Sequence, residues 1–331
     1  ICLGLNDVRV QEGYFAEEIV GGDLSIFRCH GESKRCSGGF PGATCASGRK
    51  GITCSECEDG MTPNSDGSCV ECGGSDLVPF MTLVVLGCLA LIFTYHIIAT
   101  QSRVTQSHSL LLCAIAVGQL ITVSQQLGVI GMLALDWKEP IKSFMKLIGV
   151  MTFNIEVLRL NCISSRGPVE RFIVKICIIF VTIVLMVVIH CFYAIFRYKG
   201  KFRDHDHAII GAIGTIFMVF NIAVTSTVLE PLQCEDHPSE MWTIHNYPSI
   251  ICWETSDHSA MLAIGMGAFI VVPLNYLVAC VAIVRQFPSR MRAGDERFLK
   301  AFYFLFFRFQ PQHYAYVLIT TLRSFLVAAV L

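Results

Sequence analysis

The sequence predicts an all-α multi-span membrane bundle preceded by a small disulfide-rich, loop and β ectodomain. About six spans and two interfacial amphipathic helices are expected. Three observations predict this fold. Apolar runs recur from Leu77 to the last residue, and about 20 apolar residues suffice for a helix to cross a bilayer. Eight of the 16 cysteines and fourteen of the 26 glycines lie before Ser75. Charged residues make up 15% of the 331, where ordinary soluble domains carry roughly 25%.

The first domain is expected over 1–76. Cys2, Cys29, Cys36, Cys45, Cys54, Cys57, Cys69 and Cys72 fall there, a density typical of small folds held by disulfides. Such a segment buries too little apolar surface to fold by its core alone. An even count fits four bridges, with the pairing left open. Zinc is the competing reading, because Cys54-x-x-Cys57 and Cys69-x-x-Cys72 would suit a thiolate site. Zinc needs a reducing compartment and leaves four cysteines without a role, so disulfides are preferred.

The second domain, 77–331, holds the spans, expected near 77–100, 109–135, 172–196, 208–229, 260–284 and 314–331. Helices are the expected form, since open strands would leave backbone groups unpaired in lipid. The last run is still apolar where it stops, so the natural protein is expected to continue. Residues 141–163 are read differently. Phe144, Leu147, Ile148, Met151, Ile155 and Leu158 share one helical face, opposite Lys142, Lys146, Glu156 and Arg159. That pattern predicts a helix lying on the membrane surface; a bundle helix with a polar inner face is the alternative. Residues 297–309 repeat it, with Arg297, Lys300 and Arg308 on one face, phenylalanines on the rest, and Pro311 as the stop.

Lysine and arginine in short loops mark the cytoplasmic side. Arg197, Lys199, Lys201 and Arg203 follow the third span, and Arg285, Arg290, Arg292, Arg297 and Lys300 follow the fifth. The loop 230–257 between them carries Glu235, Asp236, Glu240, Glu254 and Asp257 without a lysine or arginine, together with Cys234 and Cys252 as an expected disulfide. With 141–163 lying flat, counting back puts the N-terminal cysteines outside, where disulfides persist. The expected location is the plasma membrane or another secretory-pathway membrane, with the N-terminal domain outside. No Asn-x-Ser/Thr acceptor marks either side.

The spacing Gly13-Tyr14-Phe15, Cys29, Cys36-Ser37-Gly38-Gly39, Cys45-Ala46-Ser47-Gly48-Arg49, Gly51, Cys54-Ser55-Glu56-Cys57, Gly60 and Cys69-Val70-Glu71-Cys72 forms one pattern. Gln125-Gln126, Asp136-Trp137, Cys162, Cys234, Cys252, His258, Pro311 and Arg323 continue it. Together they resemble protist surface proteins in which ephrin-receptor-like cysteine-rich repeats precede a transient-receptor-potential-like multi-span domain. The resemblance implies a cation channel as one possible activity. The chain departs from the pattern at Tyr314, Tyr316 and Val317, where relatives place tryptophans and a glutamate.

No catalytic motif is present, so no enzyme activity, cofactor or metal is expected. Asp204-His205-Asp206-His207, and His237, His245 and His258 with Glu235 and Asp236, are read as helix-start and loop residues rather than metal ligands. Among polar residues in spans, Arg323, Asn221, Asn275 and His190 are the functional candidates. His96 and Lys175 lie near span ends, where snorkelling accounts for them. Gly211-Ala212-Ile213-Gly214 and Gly265-Met266-Gly267 are expected to allow close helix packing. A net charge of −1 argues against nucleic acid. The expected function is a non-enzymatic membrane protein whose ectodomain recognises or anchors a protein partner on the extracellular or lumenal side. Alternatives are the cation channel and an accessory structural subunit of a larger complex. The expected partners are the lipid bilayer and that outer protein, and an oligomer is left open.

Overall fold

The computed structural model describes residues 8–18, 23–29, 35–63, 68–73, 77–100, 108–131, 138, 140–149, 167–200, 202 and 205–329. The N-terminal region is built of short antiparallel pairs. Strand β1 (Tyr14–Glu18) pairs with β2 (Leu24–Arg28), β3 (Arg49–Lys50) with β4 (Glu56–Cys57), and β5 (Met61–Pro63) with β6 (Cys69–Glu71). Two-stranded ribbons are marginal in water by themselves. Three disulfides hold these together: Cys29–Cys36, Cys45–Cys54 and Cys57–Cys69. Cys72 is disulfide-bonded as well, whereas Cys2 lies outside the described residues. Cys54 and Cys57 therefore belong to different bridges. Gly38 is required where it stands, at φ +72 with a Cβ position 2.8 Å from the carbonyl oxygen of Val10.

The rest is mostly helical. Helices α1 (Leu77–Thr100), α2 (His108–Gly131), α3 (Ile141–Gly149), α4 (Pro168–Phe196) and α5 (Asp206–Leu229) come first. A small sheet follows, β7 (Cys234–Asp236), β8 (Trp242–Ile244) and β9 (Tyr247–Ile251), clipped by Cys234–Cys252. Helix α6 (Ser256–Phe269), a π-helical turn (Ile270–Leu274) and α7 (Asn275–Arg292) run on as one rod. The chain closes with α8 (Glu296–Ala301), α9 (Tyr303–Phe306) and α10 (Tyr316–Ala329).

Local chemistry sets these boundaries. Pro168 opens α4 at a first-turn position, where its missing N–H costs nothing. Lys199 and Gly200, at φ 49 and 80, turn the chain out after it. The Thr255 hydroxyl accepts the His258 N–H to start α6, and the Asp295 carboxylate accepts the Phe298 N–H to start α8. Pro273 cannot donate to the helix ladder. Two residues on, Asn275 Nδ2 donates to the carbonyls of Ile270 at 2.7 Å and Val271 at 3.2 Å.

Helix α5 is the hub, packed against α1, α2, α4, α6, α8, α9 and α10. Half of its most apolar stretch is buried inside the protein. Glycines permit that crowding. A Cβ on Gly265 would lie 2.5 Å from the Val228 carbonyl oxygen, so α6 approaches α5 almost backbone to backbone. A Cβ on Gly214 would fall on the Phe304 ring.

Among the described residues, four segments are long and apolar enough to cross a membrane: Phe80–Thr100, Pro168–Phe196, Asp206–Leu232 and Ser256–Arg292. This corrects the expectation of about six. The run at 314–331 is described as an apolar helix over Tyr316–Ala329, 14 residues. The run at 109–135 gives α2, a helix of 24 residues without a charged side chain after His108; it is not among these four. Of 141–163 only the part within α3 is described; 150–163 lies outside the described residues. Residues 297–309 do not form one surface helix. Phe302, at φ −107 and ψ 16, breaks the segment into α8 and α9, and Ala301, Phe304 and Leu305 are buried against the bundle. Its phenylalanines serve the core more than a membrane surface.

Gly214 inverts the usual glycine rule. Alanine normally stabilises a helix interior over glycine by about 1 kcal/mol, yet Gly214→Ala should destabilise by about 1–3 kcal/mol through overpacking on Phe304. Gly267, with nothing within 4 Å of its Cβ position, is the control, and Gly267→Ala should be neutral or stabilising. Thermal unfolding of the purified variants in detergent checks both.

Candidate functional site: the junction of the cysteine-rich head and the bundle

The N-terminal core is not closed by its own residues. Phe15, Phe27, Cys29, Cys36 and Cys54 form it, and Met241 and Ile251 from the sheet after α5 pack against it. The sheet in turn sits on the helices. Ile244, Tyr247 and Ile250 share one core with Phe172 and Ile176 of α4, Val228 and Leu229 of α5, and Met261 and Ala268 of α6. The sheet of 234–251 is thus the coupling piece between head and bundle.

Polar contacts follow the same path. Glu56 of β4 accepts from Arg171 of α4 and from Ser249 of β9, each at 3.1 Å. The Arg28 backbone N–H donates to Nδ1 of His237 at 3.0 Å. A backbone N–H can only donate, so Nδ1 is unprotonated and Nε2 carries the proton, placed 2.7 Å from the Thr243 hydroxyl. The His237 ring also meets Phe27 edge-on, with centroids 5.3 Å apart.

Below the sheet lies a buried ion pair. Lys175 Nζ donates to both carboxylate oxygens of Glu230, at 2.8 and 3.0 Å. Their side chains are 9% and 5% exposed, and the ammonium also stands 5.2 Å from the Tyr247 ring centre. Lys175 lies one turn after Arg171 on α4, and Glu230 follows the last residue of α5. One helix face therefore carries both cations that bind the junction. Snorkelling, the expected account of Lys175, is replaced by pairing.

The other histidines of the loop do not converge on a metal. His245 Nδ1 bonds Glu235. His258 is buried, accepts the Trp253 N–H at Nδ1 and donates from Nε2 to the Pro231 carbonyl. Its sulfur neighbours Cys234 and Cys252 are joined to each other, which leaves no thiolate for an ion. Trp253 is held at φ 68, an unusual conformation for a bulky residue, and stays 62% exposed three residues before α6.

The intramembrane candidates separate into three kinds. His190 Nδ1 bonds the Tyr95 hydroxyl, and His96 Nδ1 the Tyr193 hydroxyl, each at 2.7 Å, tying α1 to α4. Asn221 is buried in α5, and Asn275 bonds its own helix. Arg323 is exposed on α10, away from the junction. Cys88, Cys177, Cys191 and Cys280 are free thiols. Beyond the spans, Tyr198 stacks on His205, and burial pushes the Tyr198 phenol upward. Glu56, Arg171, Ser249 and Tyr247 were not legible as site residues. Lys175 and Glu230 carried a signal, each standing at the border of an apolar run.

Comparison of the chain with protein-family models, with curated proteins and with solved structures finds no match.

Removing one member of a buried ion pair leaves the other uncompensated. Lys175→Met should therefore cost about 3–5 kcal/mol, while Lys175→Met combined with Glu230→Leu should recover most of the loss; unfolding midpoints in detergent test this. Glu56→Gln should loosen the docking alone. Hydrogen exchange at β4 and β9 should rise while the helices keep their protection, and unchanged exchange would mean that the apolar contacts suffice.

Proposed function

We propose that the chain is a non-enzymatic membrane protein whose disulfide-rich head recognises or anchors a protein partner on the extracellular or lumenal side. The continuity of packing from head to sheet to helices supports this reading most. Phe15 and Phe27 pack on Met241 and Ile251, and Glu56 binds Arg171 at the start of α4. A head fixed in this way passes load or a change of position directly into the membrane helices. Phe40 is 52% exposed with the Arg9 guanidinium 5.2 Å from its ring centre. Aromatic and arginine side chains of this kind are enriched at protein interfaces. The bridges among the N-terminal cysteines favour an oxidising side for the head.

The transient-receptor-potential-like channel reading rests on the resemblance of spacing. Within one copy, and among the described residues, α5 packs against seven other helices. Against the channel reading, α8 and α9, which lie between α7 and α10, pack on α5 in a segment whose basic residues favour the cytoplasmic side.

Proximity labelling from the head in intact cells should tag a reproducible set of neighbours. Phe40→Ser with Arg9→Ala should remove that set without changing surface expression. Cation currents from the purified chain in planar bilayers, or labelling untouched by the double variant, would overturn the reading.

A further inference from the structure

Helices α7 and α10 are neighbours on the rim of the bundle. Two ring contacts fix how they run. Phe269, just before the π turn, meets Phe325 with centroids 5.5 Å apart, and Phe287 meets Tyr314 at 5.0 Å. Rising numbers on one rod thus match falling numbers on the other, so they are antiparallel. Both turn an apolar face outward: Val271, Leu274 and Val278 on the first, Ile319, Leu322 and Leu326 on the second.

Each outward face holds one polar residue, Asn275 and Arg323. Starting from the Phe269–Phe325 contact, Asn275 is six residues down one rod, roughly 9 Å, and Arg323 two residues down the other, about 3 Å. They differ in height by roughly one turn. Side chains lean toward the N-terminus of their own helix. Because the helices are antiparallel, Arg323 leans toward the level of Asn275, and Asn275 toward that of Arg323. Their chemistry is complementary. Asn275 Nδ2 donates to the carbonyls of Ile270 and Val271, which leaves Oδ1 as an acceptor. Arginine is a donor only. Within one copy the two side chains stand on separate outward faces, and no bond joins them.

We propose that this face is a self-association surface. Two copies related by a two-fold axis along the membrane normal pack α10 of each against α7 of the other. Arg323 of each copy then donates to Asn275 Oδ1 of its mate. A two-fold contact requires a self-complementary patch, and a donor and an acceptor about one turn apart in height, each leaning toward the other's level, provide one. Any membrane orientation serves, since both copies share it. The inference depends on α7 and α10 being membrane-embedded and is independent of what the head binds.

The test uses the full chain in lipid vesicles. Single-molecule counting across a range of protein-to-lipid ratios should find dimers, and Arg323→Leu or Asn275→Ala should weaken association about tenfold or more. Copies carrying Leu322→Cys mixed with copies carrying Leu274→Cys keep both polar residues and place the two thiols at similar depth. They should form the mixed cross-link in higher yield than either variant cross-links with itself. Monomers at every density, association unchanged by both polar variants, or no preference for the mixed cross-link would overturn the proposal. So would native mass spectrometry in which Arg323→Leu changes the number of bound anionic lipids but not of protein copies, since Arg323 would then serve a lipid phosphate.

Discussion

The buried pair Lys175–Glu230 is the constraint on which the upper half of the molecule depends. Two charges with side-chain exposures of 9% and 5% are tolerable only with near-complete mutual satisfaction. Here one ammonium serves both carboxylate oxygens and faces the Tyr247 ring. The pair fixes the start of α4 against the end of α5. It also sets the floor on which Tyr247 and Ile244 of the sheet rest. Such a pair confers less net stability than a well-packed apolar replacement would, but it is intolerant of misregister. A shift of one residue in either helix would leave a buried ion unpaired.

From that floor, order passes upward through an incomplete core. The N-terminal strands are too short and too few to exclude water by themselves, and their disulfides restrict the unfolded chain more than they fill the folded one. Met241 and Ile251 complete the packing, and Glu56 and the Arg28 N–H supply the directional contacts. The head is therefore better described as an extension of the loop after α5 than as a bead on a string. A partner bound to the head acts on a lever whose other end is α4.

The sequence disclosed these parts unequally. Disulfide density and apolar runs are local properties of composition, so the cysteine-rich strands and the helices of 77–100, 172–196, 208–229 and 260–284 were legible. The break at Phe302 was not. It follows from where Phe304 must go, onto the space left by Gly214, and an aromatic run carries no record of which helix it will meet. Glu56 was hidden for a similar reason, since its partners lie 115 and 193 residues away. Asn275 stood out as a polar residue in a span, but its use, bonding the Ile270 and Val271 carbonyls beside the π turn, depends on a local irregularity that polarity alone does not record.

The bonds from Asn275 Nδ2 to its own backbone also explain why an asparagine can sit on an outward face at all. An unbonded amide there would oppose insertion into lipid, whereas one whose nitrogen already donates to its own backbone opposes it less. A π turn often marks a place where a helix gives up regularity for function. In this chain the Asn275 amide nitrogen serves its own backbone and its oxygen is left as an acceptor. Arg323, on the adjoining helix, is a donor-only side chain. Neither is explained by packing within a single copy, and each supplies what the other lacks.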